Sequence, residues 1–321
     1  MSLRPFTQVD VFTSSPYRGN PLAVVLDGQG LSDAQMQDFA RWTNLAETTF
    51  LLPPTDEAAA QGADYRVRIF TTVYEMPFAG HPTLGSCHAW LGQGGNPRNP
   101  DCIVQQSAVG LVRIRRTPGA QGAGLAFAAP PLQHSPLSPE HQQLLCAALG
   151  LAPAQVLATQ RLCNGPRHLG VLLDGPDAPD RLLALQPGMD ALQSALQAIG
   201  ASGAGVVARY TREAEAPLIR RSNREARAFT AAATPAAAAS PDLEVRFFAT
   251  GVQMAEDPVT GSFNASVAQW LMQEAHMPPR YVAHQGQCVG RAGVVSLERD
   301  AQGQVWVGGD VHTCVRGTVQ L

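Results

Sequence analysis

Two carboxylates, a proline, two hydroxyls and a glycine stand together in the sequence EDPVTGS at residues 256–262. The next residues, FNASVAQWL at 263–271, have helical spacing. The stretch therefore places side-chain acceptors and free backbone N–H groups at the start of a helix, where a carboxylate or phosphate is stabilised by the orphan donors and the helix dipole. Asp, Ser and Thr also cap ordinary helices, so the stretch alone fits a binding site and a plain helix start equally well.

An internal repeat favours the binding site. VRIFTT at residues 67–72 matches VRFFAT at 245–250 with an offset of 178 (246 − 68), and PTLGS at 82–86 matches PVTGS at 258–262 with an offset of 176 (258 − 82). The unit is a strand, a loop and a helix, used twice about half a chain apart. This arrangement predicts two similar domains, not a solenoid.

The offset of 176 places His81 and Asp257 at corresponding positions, near two helix N-termini that would face each other across the domain boundary. Clefts between domains are common positions for small-molecule sites. A third candidate, Glu47, lies in NLAETTFLL at residues 44–52, a turn that leads into a strand. By position alone, the ordinary interpretation of Glu47 is a solvated side chain at a strand end.

Length and charge bound the function classes. A chain of 321 residues favours two domains of about 150 residues each. The net charge of −3 gives no electrostatic support for binding to nucleic acid or an anionic membrane. No apolar run is long enough to span a bilayer and no apolar leader stands out at the start, so we expect a cytoplasmic protein.

The sequence lacks residues that several common kinds of cofactor site require. All 23 basic residues are arginine, which excludes a lysine Schiff base, as with pyridoxal phosphate, and a P-loop lysine. No G-x-G-x-x-G occurs, so a dinucleotide fold has no support. The cysteines show no C-x-x-C spacing, and His81 and His88 lack a third ligand. We therefore expect no metal, no lysine-bound cofactor and no nucleotide held by a P-loop or a dinucleotide fold.

The elements that position these residues can be predicted from apolar periodicity and capping residues. Ser32 should cap a helix that runs to Trp42. Further helices are expected up to Leu91 and at 138–149, 180–185, 189–199 and 263–271. Strands are expected at 6–12, 22–26, 65–70, 102–106, 109–115, 155–159, 168–173, 206–210, 293–298, 304–308 and 312–320. Residues 211–242, with five arginines and an alanine-rich run, predict a mobile surface excursion.

Linked motifs along nearly the whole chain resemble those of the PhzF (phenazine biosynthesis-like) family. They are VDVF at 9–12 with GNP at 19–21, NLAETTF at 44–50, GHPTLG at 80–85, RFF at 246–248, EDPVTGS at 256–262, and QG at 285–286 with GRAG at 290–293. The resemblance implies the diaminopimelate-epimerase-like α/β fold, with two pseudo-symmetric domains. In each, a curved, mostly antiparallel sheet wraps a central helix, and the active site lies between the domains.

The resemblance also implies cofactor-free isomerase chemistry on a small carboxylate-bearing metabolite, and a homodimer. Glu47 matches the family's catalytic glutamate, and three residues match its supporting site residues: His81, Asp257 and Ser262. The substrate-binding positions carried over are Asn20, Gly80, Thr260 and Gly261. The predicted domains are residues 1–118, to which the last strand could be added, and residues 119–321. Ala46 stands where the family often has serine, and Phe263 where a small residue is common.

The expected mechanism is proton transfer by Glu47 from an activated carbon of the substrate to another position of a conjugated system. An apolar pocket walled by Leu45, Phe50 and Phe78 would raise the pKa of Glu47. An epimerase or racemase that pairs Glu47 with Asp257 is an alternative, and a non-catalytic ligand-binding protein is another. The two-thiol racemase mechanism is disfavoured, because AGH at 79–81 and PVT at 258–260 carry no cysteine.

Overall fold

The computed structural model describes residues 2–119, 122–210, 240–249 and 255–321. Within these residues the chain forms eighteen strands and seven helices in two successive halves. The first half contains β1 (Leu3–Val11), β2 (Asn20–Val25), α1 (Asp33–Thr43), β3 (Glu47–Leu52), α2 (Asp56–Ala60), β4 (Tyr65–Phe70), β5 (Glu75–Met76), α3 (Gly80–Gly92), β6 (Cys102–Ser107), β7 (Gly110–Gly119) and β8 (Gly122–Ala128).

The second half contains β9 (Gln133–Pro136), α4 (Pro139–Leu149), β10 (Val156–Cys163), β11 (Arg167–Leu173), α5 (Ala178–Ala184), α6 (Met189–Ile199), β12 (Gly203–Arg209), β13 (Leu243–Ala249), β14 (Glu256–Asp257), α7 (Gly261–Gln273), β15 (Arg280–Gln285), β16 (Gly293–Arg299), β17 (Val305–Gly309) and β18 (Val311–Gln320). The predicted helices and strands are present with shifts of a few residues at their ends, which is the usual uncertainty of boundaries.

The two halves have the same strand connections. In the first half β1–β2 is antiparallel, β2–β3 parallel, β3–β4 antiparallel and β4–β6 parallel, followed by the antiparallel ladder β6–β7–β8. Strands β10 to β17 repeat this order. The halves join where β8 pairs with β17. This repetition confirms the predicted fold class.

Helices α3 and α7 are the centres of the two halves. Helix α3 contacts six strands of its own half and β18, and α7 contacts β10, β16 and β17, so the sheet curves around both helices. Both helices are buried on almost every side, as a helix that is apolar all round should be. Small residues permit this enclosure: a Cβ on Gly85 would lie 2.6 Å from the Leu22 side chain, and one on Gly205 would lie 2.1 Å from the Phe263 ring.

Helix α1 places the start of β3. Ser32 and Gln35 form a reciprocal capping box at its N-terminus, and Met36, Phe39 and Ala40 are its buried residues. At its C-terminus Asn44 adopts the left-handed conformation, with φ of 59°, and turns the chain toward β3. The predicted cap is confirmed.

The structure corrects the alignment of the repeat. Phe70 pairs with Glu75, and Phe248 pairs with Glu256, so the offset changes from 178 (248 − 70) to 181 (256 − 75). The same offset of 181 relates the first residues of α3 and α7. His81 therefore corresponds to Ser262, and its predicted correspondence with Asp257 is wrong.

Other predictions concern the limits of the halves. Strand β18 pairs with β1, so the last strand joins the first half. The predicted domain boundary between residues 118 and 119 stays a prediction, because β7 and β8 continue one antiparallel ladder across it. Most of the predicted excursion at 211–242, namely residues 211–239, lies outside the described residues.

Candidate active site

A cavity of about 600 Å³ lies between the N-termini of α3 and α7. Seven of the eight predicted site residues line it: Glu47, Gly80, His81, Asp257, Thr260, Gly261 and Ser262. The eighth, Asn20, is fully buried directly behind His81 and Asp257. The structure thus brings together residues that are up to 242 positions apart in the sequence (262 − 20).

The two central helices meet N-terminus to N-terminus. A Cβ on Gly80 would lie 2.7 Å from the Cα of Gly261, and one on Gly261 would lie 2.9 Å from the Cα of Gly80. Neither helix has a side-chain cap, since Ala79 and Thr260 at the cap positions make no capping hydrogen bond. Free N–H groups of both first turns therefore border one cavity, an arrangement that favours an anionic group.

Glu47 occupies the first position of β3. Its side chain is only 14% exposed, so the ordinary interpretation as a solvated strand end is wrong. Its Oε2 lies 3.2 Å from Nε2 of His81, although neither atom makes a well-directed hydrogen bond in this arrangement. Burial, and after it the negative charge of Asp257, raise the pKa of Glu47 from 4.5 to about 8. Both protonation states are then accessible near neutral pH.

The hydrogen bonds of Asn20 fix the tautomer of His81. The Asn20 side-chain nitrogen donates to Oδ1 of Asp257 at 2.8 Å and to the carbonyl of Val259 at 2.9 Å, and it lies 3.2 Å from Nδ1 of His81. The amide nitrogen gives its two hydrogens to Asp257 and Val259 and cannot accept one. A hydrogen on His81 Nδ1 would face this NH₂ group unfavourably, so we assign the imidazole hydrogen to Nε2. Burial lowers the pKa of His81 to about 3, so the ring is neutral and presents N–H toward Glu47.

Gly19 and Asp10 explain why Asn20 lies at this point. Asp10 is buried and accepts hydrogen bonds from the backbone N–H groups of Arg18, at 2.8 Å, and Gly19, at 3.0 Å. A Cβ on Gly19 would lie 2.1 Å from the carbonyl oxygen of Val11, so only glycine fits there. The two motifs at 9–12 and 19–21 thus form one turn that positions Asn20.

Asp257 is held by a network of neutral groups. Its Oδ2 accepts a hydrogen bond of 2.7 Å from the Thr260 hydroxyl. Gln285 donates to the Thr260 hydroxyl and to the Asp257 carbonyl, and Asn264 donates to Gln285. Burial raises the pKa of Asp257, against the hydrogen bonds from Thr260 and Asn20, which lower it. Sequence analysis did not identify Asn264 and Gln285 as site residues; a fully buried amide in an apolar helix or strand is the signal.

Only one of the three predicted apolar walls faces the cavity. Leu45 lines it, whereas Phe50 and Phe78 do not. Successive side chains of a strand point to opposite faces, so Glu47 of β3 faces the cavity and Phe50 packs on Phe39 of α1. Phe78 packs edge-to-face against Phe127 within the core. Thr71, Tyr74, Met76 and Phe247 complete the less polar walls.

The second half provides a wall that sequence analysis missed. Residues 165–168 and Ser202 line the cavity opposite β3. Asn164, buried at the start of this turn, donates a 2.8 Å hydrogen bond to the carbonyl of Ser262 in the first turn of α7. The contact spans 98 positions, and no local pattern predicts it.

The described residues contain no cluster of three or more metal-ligating side chains. Among the same residues, no helix is both long and apolar enough to cross a membrane.

Residues 9–317 match the family model of phenazine biosynthesis-like proteins, PhzC–PhzF. The chain belongs to this family. A Schizosaccharomyces pombe protein named antisense-enhancing sequence 1 is 30% identical to this PhzF-family chain over 328 residues, 99% of each chain. A trans-2,3-dihydro-3-hydroxyanthranilate isomerase of Pseudomonas aeruginosa is 37% identical over 190 residues, which are 58% of this chain and 62% of that enzyme. With several relatives named as isomerases, this PhzF-family chain is an isomerase.

Solved structures share its fold. A Bacillus anthracis phenazine biosynthesis protein of the PhzF family has a TM-score of 0.76 and 21% identity, and the match covers both chains completely. A probable proline racemase from Agrobacterium radiobacter, solved with bound carbonate, has a TM-score of 0.62 and 12% identity over 99% of this chain and 93% of that one. The PhzF fold of this chain is thus the one that the racemase also uses.

Proposed function

We propose that this isomerase moves a proton on a small carboxylate substrate, with Glu47 as the general acid and base in the cavity between α3 and α7. The observation that carries the proposal is the pairing of the buried Glu47 with the neutral His81 at 3.2 Å in the cavity wall. A carboxyl group whose pKa lies near the working pH can both accept and return a proton. The name of the Pseudomonas aeruginosa relative supports a cyclic, unsaturated carboxylate as the substrate class.

In the proposed reaction the substrate carboxylate lies against the uncapped first turns of α3 and α7. Glu47 removes a proton from an activated carbon, and the electron pair moves into the adjacent conjugated system. The Nε2–H of His81 donates a hydrogen bond where negative charge develops, and the Ser262 hydroxyl, which lines the cavity, can donate a second one. Glu47 then returns the proton to a different carbon. Atoms and charge balance without a cofactor, because Glu47 takes up one proton and returns one. Exchange of the Glu47 carboxyl proton with solvent between these two steps carries deuterium from D₂O into the substrate.

An epimerase that pairs Glu47 with Asp257 is the second candidate, and the shared fold of the probable proline racemase favours it. The hydrogen bonds of Asp257 argue against it. Both of its carboxylate oxygens accept hydrogen bonds, from Asn20 and Thr260, which suits a fixed supporting group better than a base that must release and take up protons.

Exchange with D₂O tests the proposal. The wild-type protein and Glu47→Gln are incubated in D₂O with small amino and hydroxy carboxylates, including cyclohexadiene acids, and carbon-bound deuterium is followed by NMR. We expect Glu47→Gln to reduce the exchange rate on the order of 10²- to 10⁴-fold. Label at a new position with a moved double bond supports the isomerase, and label at a stereocentre with inversion supports the epimerase. Near-normal exchange by Glu47→Gln would contradict the role of Glu47.

A homodimer, implied by the family resemblance, and a cytoplasmic location, expected from composition, remain part of this proposal. Analytical ultracentrifugation of the whole chain tests the first, and cell fractionation tests the second.

A further inference from the structure

Arg167 is the only arginine among the described residues that line the cavity. Within the described part of the chain its guanidinium makes no ion pair and no side-chain hydrogen bond, whereas its own backbone carbonyl is held by Ser202. Guanidinium groups are favoured partners of carboxylate and phosphate oxygens. Arg167 is an exposed residue, and it therefore brings to the cavity wall a positive charge that is open to solvent and pairs with no acid of the described protein.

His168 lies next to this charge and has unused hydrogen-bonding capacity. Its side chain is buried and lines the cavity, and its Nδ1 has no hydrogen-bond partner among the described residues. Edge-to-face contacts with Phe247, at 4.8 Å between ring centroids, and Phe263, at 6.0 Å, fix the plane of the ring. Buried polar groups are normally satisfied, so the imidazole has a hydrogen bond left to make. Its Nδ1 has almost no accessible surface, and a ligand can therefore bind it only after a small shift of the ring.

The wall that carries these two residues is fixed relative to the helix N-termini. The Ser202 backbone N–H and hydroxyl both donate to the Arg167 carbonyl, at 2.8 and 3.0 Å. On the other side of the turn, Asn164 binds the Ser262 carbonyl. The backbone of this turn, from which the Arg167 side chain extends, is thus held against the first turn of α7.

The pseudo-symmetry leaves no acid opposite Arg167 on this side. Glu47, the first residue of β3, pairs with Leu22, and Gly203, the first residue of β12, pairs with His168. Gly203 is therefore the counterpart of Glu47. A Cβ on Gly203 would lie 2.5 Å from the Phe247 ring, so no larger side chain fits there. The first half provides the carboxyl group for proton transfer, and the second half provides the positive charge.

We infer that Arg167 and His168 form a second recognition subsite, for an anionic group that the substrate carries besides the carboxylate at the helix N-termini. This inference deepens the proposed function and rests on it for the position of the first carboxylate. The substrate class is then a small acid with two anionic groups, with carboxylate or phosphate chemistry at the second.

Binding calorimetry on the full-length protein tests the subsite without requiring turnover. The probes are the straight-chain dicarboxylates from succinate to adipate, each compared with its own monoamide, in which one carboxylate is replaced by a neutral group of similar shape. Phosphonoacetate distinguishes a phosphate-type second group from a carboxylate. Arg280→Gln is the matched control, because it removes the same charge from an exposed arginine outside the cavity.

We expect at least one probe with two anionic groups to bind the wild type about tenfold more tightly than the monoamide of similar length. Arg167→Gln should abolish this preference and leave monoamide binding unchanged, and Arg167→Lys should retain part of it. His168→Phe, which keeps the aromatic packing, should weaken the preference. Arg280→Gln should behave like the wild type. Since the Arg167 guanidinium has no partner within the described chain, its replacement should not lower the melting temperature.

The subsite is overturned if the wild type prefers none of these probes over a monoamide, including the case in which none binds at millimolar concentration. It is also overturned if Arg167→Gln weakens binding of diacids and monoamides equally. Glu47→Gln separates this result from the proposed function, because it should keep the diacid preference while losing proton exchange. If the wild type itself catalyses no proton exchange but still prefers the diacids, the proposed role of Glu47 is contradicted and the subsite is supported.

Discussion

Gly80 and Gly261 lie in backbone contact at the junction of α3 and α7. A Cβ added to either residue would lie closer to the backbone of the other than van der Waals contact allows. The two residues correspond to each other in the pseudo-symmetric halves, so the axis that relates the halves passes close to this contact. It is also the floor of the cavity, where the free N–H groups of both helices meet. The same pair therefore determines helix packing and the shape of the anion site.

We expect Gly261→Ala to lower the free energy of unfolding. The added methyl would lie 2.9 Å from the Cα of Gly80 and must push two backbones apart, for which overpacking typically costs about 1–3 kcal/mol of unfolding free energy. Denaturant unfolding measures it. Gly317→Ala is the control, because nothing lies within 4 Å of its added Cβ and its φ is not positive. Equal stability of the two variants would contradict close packing at the junction.

Glu47→Gln should make the protein more stable at alkaline pH. Between the ordinary pKa of 4.5 and the folded value of about 8, the unfolded chain loses the Glu47 proton and the folded chain keeps it. The wild type therefore loses stability as pH rises through this window, and the loss is complete above about pH 8. Thermal and denaturant unfolding there should give Glu47→Gln a free energy of unfolding that is higher than that of the wild type by on the order of 5 kcal/mol.

The comparison contains its own control. Near about pH 4 the glutamate is largely protonated in both states, so the stability difference between the two proteins should nearly vanish. Ionisable groups that do not contact Glu47 contribute equally to both proteins, and their contributions cancel. A constant difference at every pH would mean that Glu47 is not buried in the way described.

The internal repeat shows which part of the correspondence between the two halves could be predicted from the sequence. The strand motifs around Arg68 and Arg246 were matched correctly, because strand, ion pair and loop recur together. The match of PTLGS with PVTGS was misleading. Pro82 lies inside the first turn of α3, where its missing N–H costs nothing, whereas Pro258 precedes α7. The two similar sequences thus lie at different positions relative to the first residue of their helices, and only the contacts in the structure show this difference.

Asp257→Asn should lower the pKa of Glu47. The negative charge of Asp257 is one of the two causes that raise this pKa. Asparagine keeps one oxygen that can accept from Asn20, and its NH₂ group can donate to the Thr260 hydroxyl once that hydroxyl rotates. The midpoint of the Glu47-dependent proton exchange should therefore move to lower pH, as measured by the pH profile of D₂O exchange. Asp38→Asn, at an exposed acid on α1, should leave the profile unchanged. A midpoint that stays or rises would show that Asp257 does not act on Glu47 by charge.

His81 should be the Nε2–H tautomer in the resting protein. Nitrogen-15 correlation spectra identify which imidazole nitrogen carries the hydrogen, and the ring should stay neutral well below pH 6.5 because burial lowers its pKa to about 3. Asn20→Ala removes the group that opposes a hydrogen on Nδ1, so a mixture of tautomers is expected. Nδ1–H in the wild type would contradict the hydrogen-bond assignment.

The features that could not be predicted from the sequence are mostly contacts between the two halves of the chain. Glu47, His81, Asp257 and Asn20 could all be proposed from motifs. The hydrogen bond from Asn20 to Asp257, across 237 positions of the chain, could not be predicted. Arg167 and His168 begin an ordinary strand, and nothing local shows that this strand forms a cavity wall. Phe50 looked like a neighbour of Glu47, and the alternation of β3 turns it to the other face.

The repeated ion pairs permit a prediction in which one half serves as the control for the other. Arg246 and Glu256 are 6% and 9% exposed and form two hydrogen bonds, of 3.0 and 2.7 Å. Arg68 also binds Glu75 through two hydrogen bonds, but Glu75 is 38% exposed. Each arginine lies over a phenylalanine ring, Phe248 or Phe70.

Glu256→Gln should cost about 3–5 kcal/mol of unfolding free energy, because it leaves the Arg246 charge buried without its counter-ion. Glu75→Gln should cost less than about 1 kcal/mol, since water and Asp33 can solvate Arg68. Urea unfolding of the two variants measures both values. The comparison holds geometry and residue type nearly constant and changes burial, so similar costs for the two would mean that burial does not determine the strength of these pairs.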